Sequence, residues 1–359
     1  MKKDLELIKF IEIRYADPIS SMDLTDNYLL FGSMLGSTKS YSIKNKRLKN
    51  ISNVEDDYIS GVKIYQNKFY ICVGDAKYYI LKVDEDFANE KEEINNSDDN
   101  NENGNGDCLT MLNNNYLIRT FINFPAEPND QPLIQDTRFL IKNIFNENEK
   151  FQGEIKMSNY CVPFDFDGKK FIIIDFFTEN KRKYILYDVI SKQKIEIEDK
   201  FEADKIGHIS HLKIIKDDTI FIVRDYNICE IRSFELELKK KLNIKSSEIL
   251  AFDLLFDDEI NEGNNNNDIQ NSENTDINKE KGLLYIIILD LDCNIILYNY
   301  RKDKSEILVN LEKDEIGIDE DIKDQRFFCF GYPYYIKFTK NYIAVSSDYG
   351  CILLKYSLI

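Results

Sequence analysis

The chain has 359 residues, a length that allows either one large domain or two. Its apolar fraction of 43% is sufficient for a sizeable core and excludes a wholly disordered protein. The formal net charge is −17, and no stripe of lysine or arginine offsets it, so binding to the phosphate backbone of nucleic acids is disfavoured.

Most of the negative charge lies in two polar segments. Residues 84–107 hold ten acidic residues and one lysine, and residues 258–281 hold seven acidic residues and two lysines. Both segments are rich in asparagine and cannot bury much apolar surface. We therefore predict disordered loop insertions at about 90–107 and 258–281 within a single domain that covers residues 5–359.

Short β-strand patterns follow one another along the chain, and no long segment with helical periodicity interrupts them. Leu5–Ile13 is predicted as a strand that has no hairpin partner of its own. From Ile19 onward, short strands joined by tight turns form repeated units. The first strands of these units begin near Ile19, Ile59, Leu109, Val162, Ile209, Leu250 and Tyr335.

Some strands within these units are poorly marked by the sequence. In the second unit the third strand is predicted at Lys77–Val83, and in the third unit Arg138–Ile144 is the last strand that the pattern indicates. The fifth unit is predicted to end with a strand near Lys241–Ile244. The seventh unit begins with Tyr334–Phe338 and is one strand short of four.

The spacing of the units predicts the architecture. Successive units start 40 to 53 residues apart, except across the long insertion, and such a period is typical of one four-stranded blade per repeat. We predict an all-β protein, a seven-bladed β-propeller whose last blade is completed by the N-terminal strand Leu5–Ile13. This strand is expected to close the ring and to remove exposed sheet edges that would favour aggregation.

The C-terminal hairpin carries a family resemblance. Residues 347–356 read Ser-Asp-Tyr-Gly-Cys-Ile-Leu-Leu-Lys-Tyr. This run resembles the end of a blade in the WD-repeat β-propeller family, Ser-Asp-x-Gly-x-Ile-x-Leu-Trp-Asp, through its eighth position. Gly207-His208 is similar to the dipeptide that opens a family repeat. At the family's Trp-Asp position the chain has Tyr187-Asp188, Tyr298-Asn299, Tyr41-Ser42 and Arg232-Ser233.

The sequence also departs from the family pattern. It contains no tryptophan and a single Gly-His pair, so the family's hydrogen-bonded tetrad of His, Ser or Thr, Asp and Trp cannot be complete in any blade. The resemblance extends over nearly the whole chain, from Leu5 to Ile359. It implies a WD-like propeller, and by analogy with that fold a role in protein–protein interaction.

Residues that support catalysis or metal binding are sparse. His208 and His211 are the only histidines, and a structural role at the Gly-His turn is favoured over a metal site. The seven cysteines include no Cys-x-x-Cys pair and lie mostly in apolar runs, so buried thiols in a reducing compartment are expected. No phosphate-binding loop is present. We predict no catalytic residues, no cofactor, no bound metal and no small-molecule substrate.

The apolar runs are far shorter than the roughly 20 residues that a membrane span requires. The N-terminal residues show no secretory or transit pattern. We therefore expect a cytoplasmic protein without a membrane span, and cytoskeletal and ciliary assemblies are candidate settings.

Three arginines and two aspartates leave alternatives open. Arg119, Arg138 and Arg224 interrupt or end apolar strands, so each is expected to pair with an internal carboxylate or, less favoured, with a ligand carboxylate. Asp290 and Asp292 are predicted to alternate on one strand. Together with Arg224 they could hold a metal in the channel of a propeller enzyme. Alternatively, the arginines could bind an acidic or phosphorylated degron in a substrate receptor of a ubiquitin ligase.

Two segments are candidate partner surfaces, because one is unusually rich in proline and the other is unusually rich in aromatic residues. The first is a proline-stiffened loop at 124–135, and the second is an aromatic run at 326–335. We predict a non-catalytic scaffold or adaptor that binds other proteins in a larger assembly of cytoskeletal, ciliary or coat type. The residues assigned to these surfaces are Phe124, Pro125, Pro128 and Pro132 in the loop, and Arg326, Phe327, Tyr332 and Tyr334 in the aromatic run.

Overall fold

The computed structural model is all-β in the residues it describes. These residues form 26 β-strands and no helix, so no helix that could cross a membrane occurs among them. The described residues are 5–12, 17–53, 58–65, 68–73, 107–113, 115–122, 134–146, 148–158, 161–178, 181–198, 209–215, 219–256, 283–314, 334–347 and 350–356.

The chain divides into two compact units. The first unit comprises Met1–Ser33, Lys39–Ile51 and Leu242–Ile359, and the second comprises Met34–Thr38 and Ser52–Lys241. The described strands form six four-stranded antiparallel sheets and one two-stranded sheet. This count confirms the predicted succession of seven sheets along the chain, and each sheet is built from strands that are close in sequence, apart from one N-terminal strand.

Three sheets lie in or mostly in the first unit, and each is a meander of adjacent strands. The first sheet contains β2 (Ile19–Leu24), β3 (Tyr28–Ser33), β4 (Ser37–Ser42) and β5 (Arg47–Asn53). The second contains β20 (Ile249–Phe256), β21 (Leu283–Asp290), β22 (Asn294–Asn299) and β23 (Lys304–Asn310). The third contains β24 (Ile336–Phe338), β25 (Tyr342–Ser347), β26 (Gly350–Lys355) and the N-terminal β1 (Glu6–Glu12).

The second unit contains the other four sheets. The two-stranded sheet contains β6 (Ile59–Tyr65) and β7 (Lys68–Val73), and the next sheet contains β8 (Asp107–Asn113), β9 (Tyr116–Ile122), β10 (Ile134–Asn143) and β11 (Lys150–Ser158). The third contains β12 (Cys161–Phe166), β13 (Lys170–Thr178), β14 (Lys181–Asp188) and β15 (Lys194–Glu198). The fourth contains β16 (Ile209–Ile214), β17 (Thr219–Arg224), β18 (Ile228–Ser233) and β19 (Leu238–Lys241).

The N-terminal strand completes the C-terminal sheet. β1 pairs antiparallel with β26, and Glu12 lies opposite Gly350. A Cβ atom at Gly350 would lie 2.1 Å from the carbonyl oxygen of Ile11, so only glycine permits this close approach of the two backbones. The predicted pairing of the orphan strand is therefore confirmed, and the glycine of the family-like motif has a steric reason.

In several sheets the second strand has apolar side chains on both of its faces, and burial of these side chains stabilises the strand. In β17, Ile220, Phe221, Ile222 and Val223 are all fully buried. Such a continuous apolar run belongs to a strand that is covered on both sides. In the second unit, residues of β13 and β14 pack against residues of β16 and β17 in one apolar cluster. Burial between adjacent sheets is therefore the main stabilising contribution in this unit.

A carboxylate on the first strand of a sheet also binds the next sheet. Asp165 accepts a hydrogen bond from the backbone N–H of Ile214, at 2.6 Å, in the second unit. Asp253 occupies the same position in the first unit, where it accepts from the N–H of Phe338 at 3.4 Å and from the ammonium of Lys337 at 3.2 Å. The repeated position indicates that these sheets are variations on one structural unit.

The dipeptides at the family's Trp-Asp position stabilise a turn that recurs in four hairpins. Their tyrosines, Tyr41, Tyr187 and Tyr298, are buried. The polar residue that follows accepts hydrogen bonds from backbone N–H groups of the next turn, as Asp188 does from Ile190 and Ser191 at 2.9 Å. Ser42, Ser233 and Asn299 act in the same way. Each of these turns also has one non-glycine residue at positive φ: Lys46, Lys192, Leu236 and Asp303.

Several predicted strands differ from the observed ones. The third unit has a fourth strand, β11, which the sequence pattern did not indicate. The fifth unit ends with β19 at Leu238–Lys241 and not at 241–244, because the preceding turn is shorter than expected. β24 begins at Ile336, and residues 334–335 precede it. The predicted strand 77–83, most of the insertion at 90–107 and the insertion at 258–281 lie outside the described residues.

Candidate functional site

Most of the residues assigned to partner surfaces lie outside the described part of the chain. Phe124, Pro125, Pro128, Pro132, Arg326, Phe327 and Tyr332 all belong to this group, so their assignment stays a prediction. Tyr334 is described. It is partly buried and packs against the apolar cluster formed by β20–β26.

Arg224 confirms the prediction of an internal salt bridge. Its guanidinium binds both carboxylate oxygens of Glu230, with Nη2–Oε1 at 2.8 Å and Nε–Oε2 at 3.1 Å. Arg232 binds the same carboxylate at 2.7 Å. Burial alone would raise the pKa of Glu230, but the two guanidinium groups hold it below its ordinary value. Arg224 is therefore engaged in a structural ion pair.

The prediction that Asp290 and Asp292 alternate along one strand is wrong. β21 ends at Asp290, and Asp292 lies in the turn that follows. The buried carboxylate of Asp290 accepts hydrogen bonds from the backbone N–H groups of Ser247, at 3.3 Å, and of Asn294, at 2.9 Å. Asp290 therefore connects the β21–β22 turn to Ser247, which precedes β20, since its carboxylate accepts a backbone hydrogen bond on each side.

The described cysteine and histidine side chains have structural roles. Burial raises the pKa of the Cys229 and Cys293 thiols to about 12, so both are protonated and weakly nucleophilic at neutral pH. His211 is half-buried, and its Nδ1 lies 3.3 Å from Ser210 Oγ. His208 lies outside the described residues. Among the residues that the structure describes, no group of three His, Cys, Asp or Glu side chains is placed to hold a metal.

The candidate functional site is a groove of about 570 Å³ in the second unit. It lies where the outer strands β10 and β11 meet the end of β14 and the β14–β15 turn. We call it the β10–β11 groove. It is lined by residues 138–140 of β10, by Lys150 and residues 152–154 of β11, and by Tyr187, Val189 and Lys192.

A glycine opposite an aromatic ring shapes the apolar part of the groove. Gly153 lies directly across the strand pair from Phe139. A Cβ atom at Gly153 would lie 2.8 Å from the Phe139 ring, so the ring covers the glycine closely. The ring also meets Tyr187 edge to face, with centroids 5.8 Å apart. Aromatic contact therefore joins the two sheets where the groove lies.

The charged part of the groove is mainly cationic. Arg138, Lys150 and Lys192 line it, and Glu154 is the one carboxylate among the lining residues. Glu154 lies opposite Arg138 in the strand register. Lys150 and Lys192 are exposed, and no carboxylate in the described ranges forms an ion pair with either. Two lysine ammonium groups are thus available to a ligand that carries negative charge.

The β10–β11 turn holds Lys150 in place. The Glu149 carboxylate accepts a hydrogen bond from the Tyr116 hydroxyl at 2.6 Å and another from the Asn143 side-chain amide at 2.9 Å. Burial and the neighbouring Glu149 carboxylate raise the pKa of Tyr116. In the same turn Phe145 stacks on Tyr65, with ring centroids 3.8 Å apart. The hairpin is therefore anchored to β9 of its own sheet and to β6 of another sheet in the second unit.

Sequence reasoning missed this groove for a physical reason. Its cations are separated by up to 54 positions, from Arg138 to Lys192, and only packing of two sheets brings them together. The local signal was the alternation in residues 150–156, where Phe151, Gly153 and Ile155 alternate with Lys150, Gln152, Glu154 and Lys156. That pattern is typical of a half-exposed strand.

Comparisons with known proteins bear on the fold. No family model and no curated protein matches the chain. A solved structure of the WD40 β-propeller domain of Doa1 is similar with a TM-score of 0.55 and 9% identity, over 99% of this chain and 98% of that one. The chain has the fold of a WD40 β-propeller. The crystal structure of the computationally designed Ika8 protein is also similar, with a TM-score of 0.51, 9% identity and 99% of both chains covered.

The similarity to a solved β-propeller confirms the predicted fold class. At 9% identity the similarity concerns the fold, and what Doa1 does is not carried over to this chain. The assignment of function therefore depends on the described surfaces of this propeller, and the β10–β11 groove is one of these.

Proposed function

We propose that this protein is a non-catalytic scaffold that binds other proteins through the surfaces of its β-propeller. The observation that carries this proposal is the propeller fold itself, in which many short turns are presented on closely packed sheets. Rigid sheets that carry exposed turns suit the binding of several partners, since little ordering of the backbone is needed on binding. The β10–β11 groove adds a surface with apolar and cationic parts.

We further propose that the scaffold works in the cytoplasm as a subunit of a larger assembly, with cytoskeletal, ciliary and coat-type assemblies as candidate settings. The ion pairing of Arg224 with Glu230 and the turn contacts of Asp290 favour this function over the two alternatives. A metal-dependent channel site would need both Arg224 and Asp290 to face a ligand, and a degron-binding site would need Arg224 to do so.

Reciprocal capture of the full-length protein tests this proposal. The tagged protein, expressed at its native level, should retain the same partners in fixed proportion when each of those partners is used as the bait. Cross-linking should then connect them to described turns and strands of the propeller. The absence of any partner in fixed proportion would contradict the scaffold function. A divalent metal bound in one-to-one proportion by the purified protein would favour the enzyme alternative.

A further inference from the structure

We propose that the β10–β11 groove binds an extended acidic segment of a partner protein. This inference rests on the proposed scaffold function and names the chemistry of one partner. In the complex, the segment lies along β11, places an apolar side chain against Val189 and Ile190, and directs its carboxylates to Lys150 and Lys192.

The position of β11 provides the first argument. β11 has nine residues and is the outermost strand of its sheet, with β10 as its neighbour among the described strands. An outermost strand has backbone N–H and C=O groups that face away from the sheet, and an extended peptide can pair with them. The ammonium of Lys194 already donates a hydrogen bond to the Lys156 carbonyl of this strand, at 2.8 Å. A partner segment is thus most readily accommodated beside residues 150–154.

Charge complementarity gives the second argument. Three cationic side chains and one carboxylate line the groove, in a chain whose formal net charge is −17. A cationic groove attracts an acidic ligand, whereas the neutral and acidic parts of the chain do not. Lys150 and Lys192 are exposed and have no carboxylate partner in the described part of the chain. Asp and Glu side chains are their natural complement.

The apolar part of the groove gives the third argument. Val189, which lines the groove, is only partly buried, whereas the Phe139 and Tyr187 rings are themselves buried. Ile190, next to the lining residue Val189, is 66% exposed. A leucine-sized side chain of a partner can cover this surface, and burial of apolar area supplies affinity that the charged groups alone do not.

The full-length protein and two synthetic peptides test the proposal. The acidic peptide has about ten residues, the length of an extended segment that matches β11, with one leucine flanked on both sides by glutamates. The second peptide has glutamine at every glutamate position. Fluorescence anisotropy should detect binding of the acidic peptide, with affinity at least about tenfold higher than that of the glutamine peptide, and binding should weaken as salt is added.

Charge reversal locates the site. The double variant Lys150→Glu, Lys192→Glu should lower the affinity for the acidic peptide at least about tenfold. The matched control is Lys239→Glu, Lys241→Glu, because these exposed lysines lie on β19, the outermost strand of another sheet in the same unit. This control should bind the acidic peptide about as well as the unaltered protein. Circular dichroism should show the same fold for both variants.

Several outcomes would overturn the proposal. The proposal is contradicted if the acidic peptide does not bind, if the glutamine peptide binds equally well, or if the two double variants lose affinity equally. In the last case the attraction would be general and not specific to the groove. Concentration-dependent dimerisation that Lys150→Glu, Lys192→Glu abolishes would identify the groove as an interface between copies of this chain, and would equally overturn the proposal.

The scaffold function and this inference fail in different ways. If the groove variant keeps every partner that the unaltered protein captures, the inference is wrong while the scaffold function stands. If the unaltered protein captures no partner in fixed proportion, the scaffold function itself is wrong.

Discussion

At the scale of single residues, the structure gives physical reasons for a motif that was recognised by resemblance alone. The dipeptide Tyr187-Asp188 pairs a buried ring with a carboxylate that satisfies two backbone donors. Lys170, itself buried, lies 3.0 Å from the same carboxylate and 4.3 Å from the ring centroid of Phe234. Asp188 therefore links the β14–β15 turn to a neighbouring strand, and its charge is needed there.

Asp188 should contribute stability that depends on pH. Burial alone would raise its pKa, but the N–H groups of Ser191 and Ile190 and the Lys170 ammonium hold the pKa at about 2, below the ordinary value of 3.8. Because the folded-state pKa is the lower one, this contribution of about 2 kcal/mol is present above pH ~4 and is lost as the pH falls towards 2.

The variant Asp188→Asn tests this contribution. It keeps an oxygen acceptor for the turn but removes the charge beside Lys170, so it should lower the free energy of unfolding by about 2 kcal/mol at pH 7. Urea unfolding at several pH values measures the difference between the two proteins. About half of that difference should disappear by pH 3. A difference that does not change between pH 7 and pH 3 would contradict the assigned role of the charge.

Hydrogen bonding of Glu149 should determine the stability of the β10–β11 hairpin. Glu149→Ala removes the acceptor of the Tyr116 hydroxyl and of the Asn143 amide, so we expect a loss of about 1–3 kcal/mol in the free energy of unfolding. The exposed Glu154 of the same hairpin is the matched control, and Glu154→Ala should change the stability by less than about 0.5 kcal/mol. Chemical denaturation measures both, and equal effects would show that the Glu149 contacts are not stabilising.

At the scale of elements, alternation and turn residues predicted most strands, while two kinds of error had physical causes. β11 was missed because Gly153 interrupts its apolar face, and glycine weakens the strand pattern. The Phe139 ring compensates for this glycine from the neighbouring strand, a contact that no local pattern shows. Asp292 was placed on a strand because spacing alone does not reveal where β21 ends.

The pairing of β1 with β26 should depend on Gly350. Gly350→Ala would place a Cβ atom 2.1 Å from the Ile11 carbonyl oxygen, so β1 must move or detach. Hydrogen exchange in Glu6–Glu12 should become markedly faster in this variant, while exchange in β17 should change little. Unchanged protection of β1 would contradict the close approach of these strands.

Removal of residues 1–13 tests the same pairing by deleting β1, the partner strand of β26. It should leave β26 with an unpaired edge and cause aggregation. In the truncated chain, Gly350→Ala should have little further effect, since its steric partner is gone. A truncated chain that is soluble and unfolds cooperatively would contradict the closing role predicted for the N-terminal strand.

At the scale of the whole molecule, the repeat period was the most informative feature of the sequence. It predicted the all-β propeller, because each sheet is assembled from strands that are close in sequence, with β1 as the exception. The candidate site was not predictable in the same way. Lys150 and Lys192 belong to different sheets, and their proximity depends on how those sheets pack. Single lysines in a strand and in a turn carry no signal of a shared groove.

The native mass of the endogenous protein in a gentle lysate tests the central claim, that this propeller acts as a scaffold for other proteins. The chain has a mass of 42.3 kDa. We predict migration well above this mass, together with defined proteins that remain in fixed proportion across the peak. Migration at the mass of a single chain, with no co-migrating protein, would contradict the scaffold function.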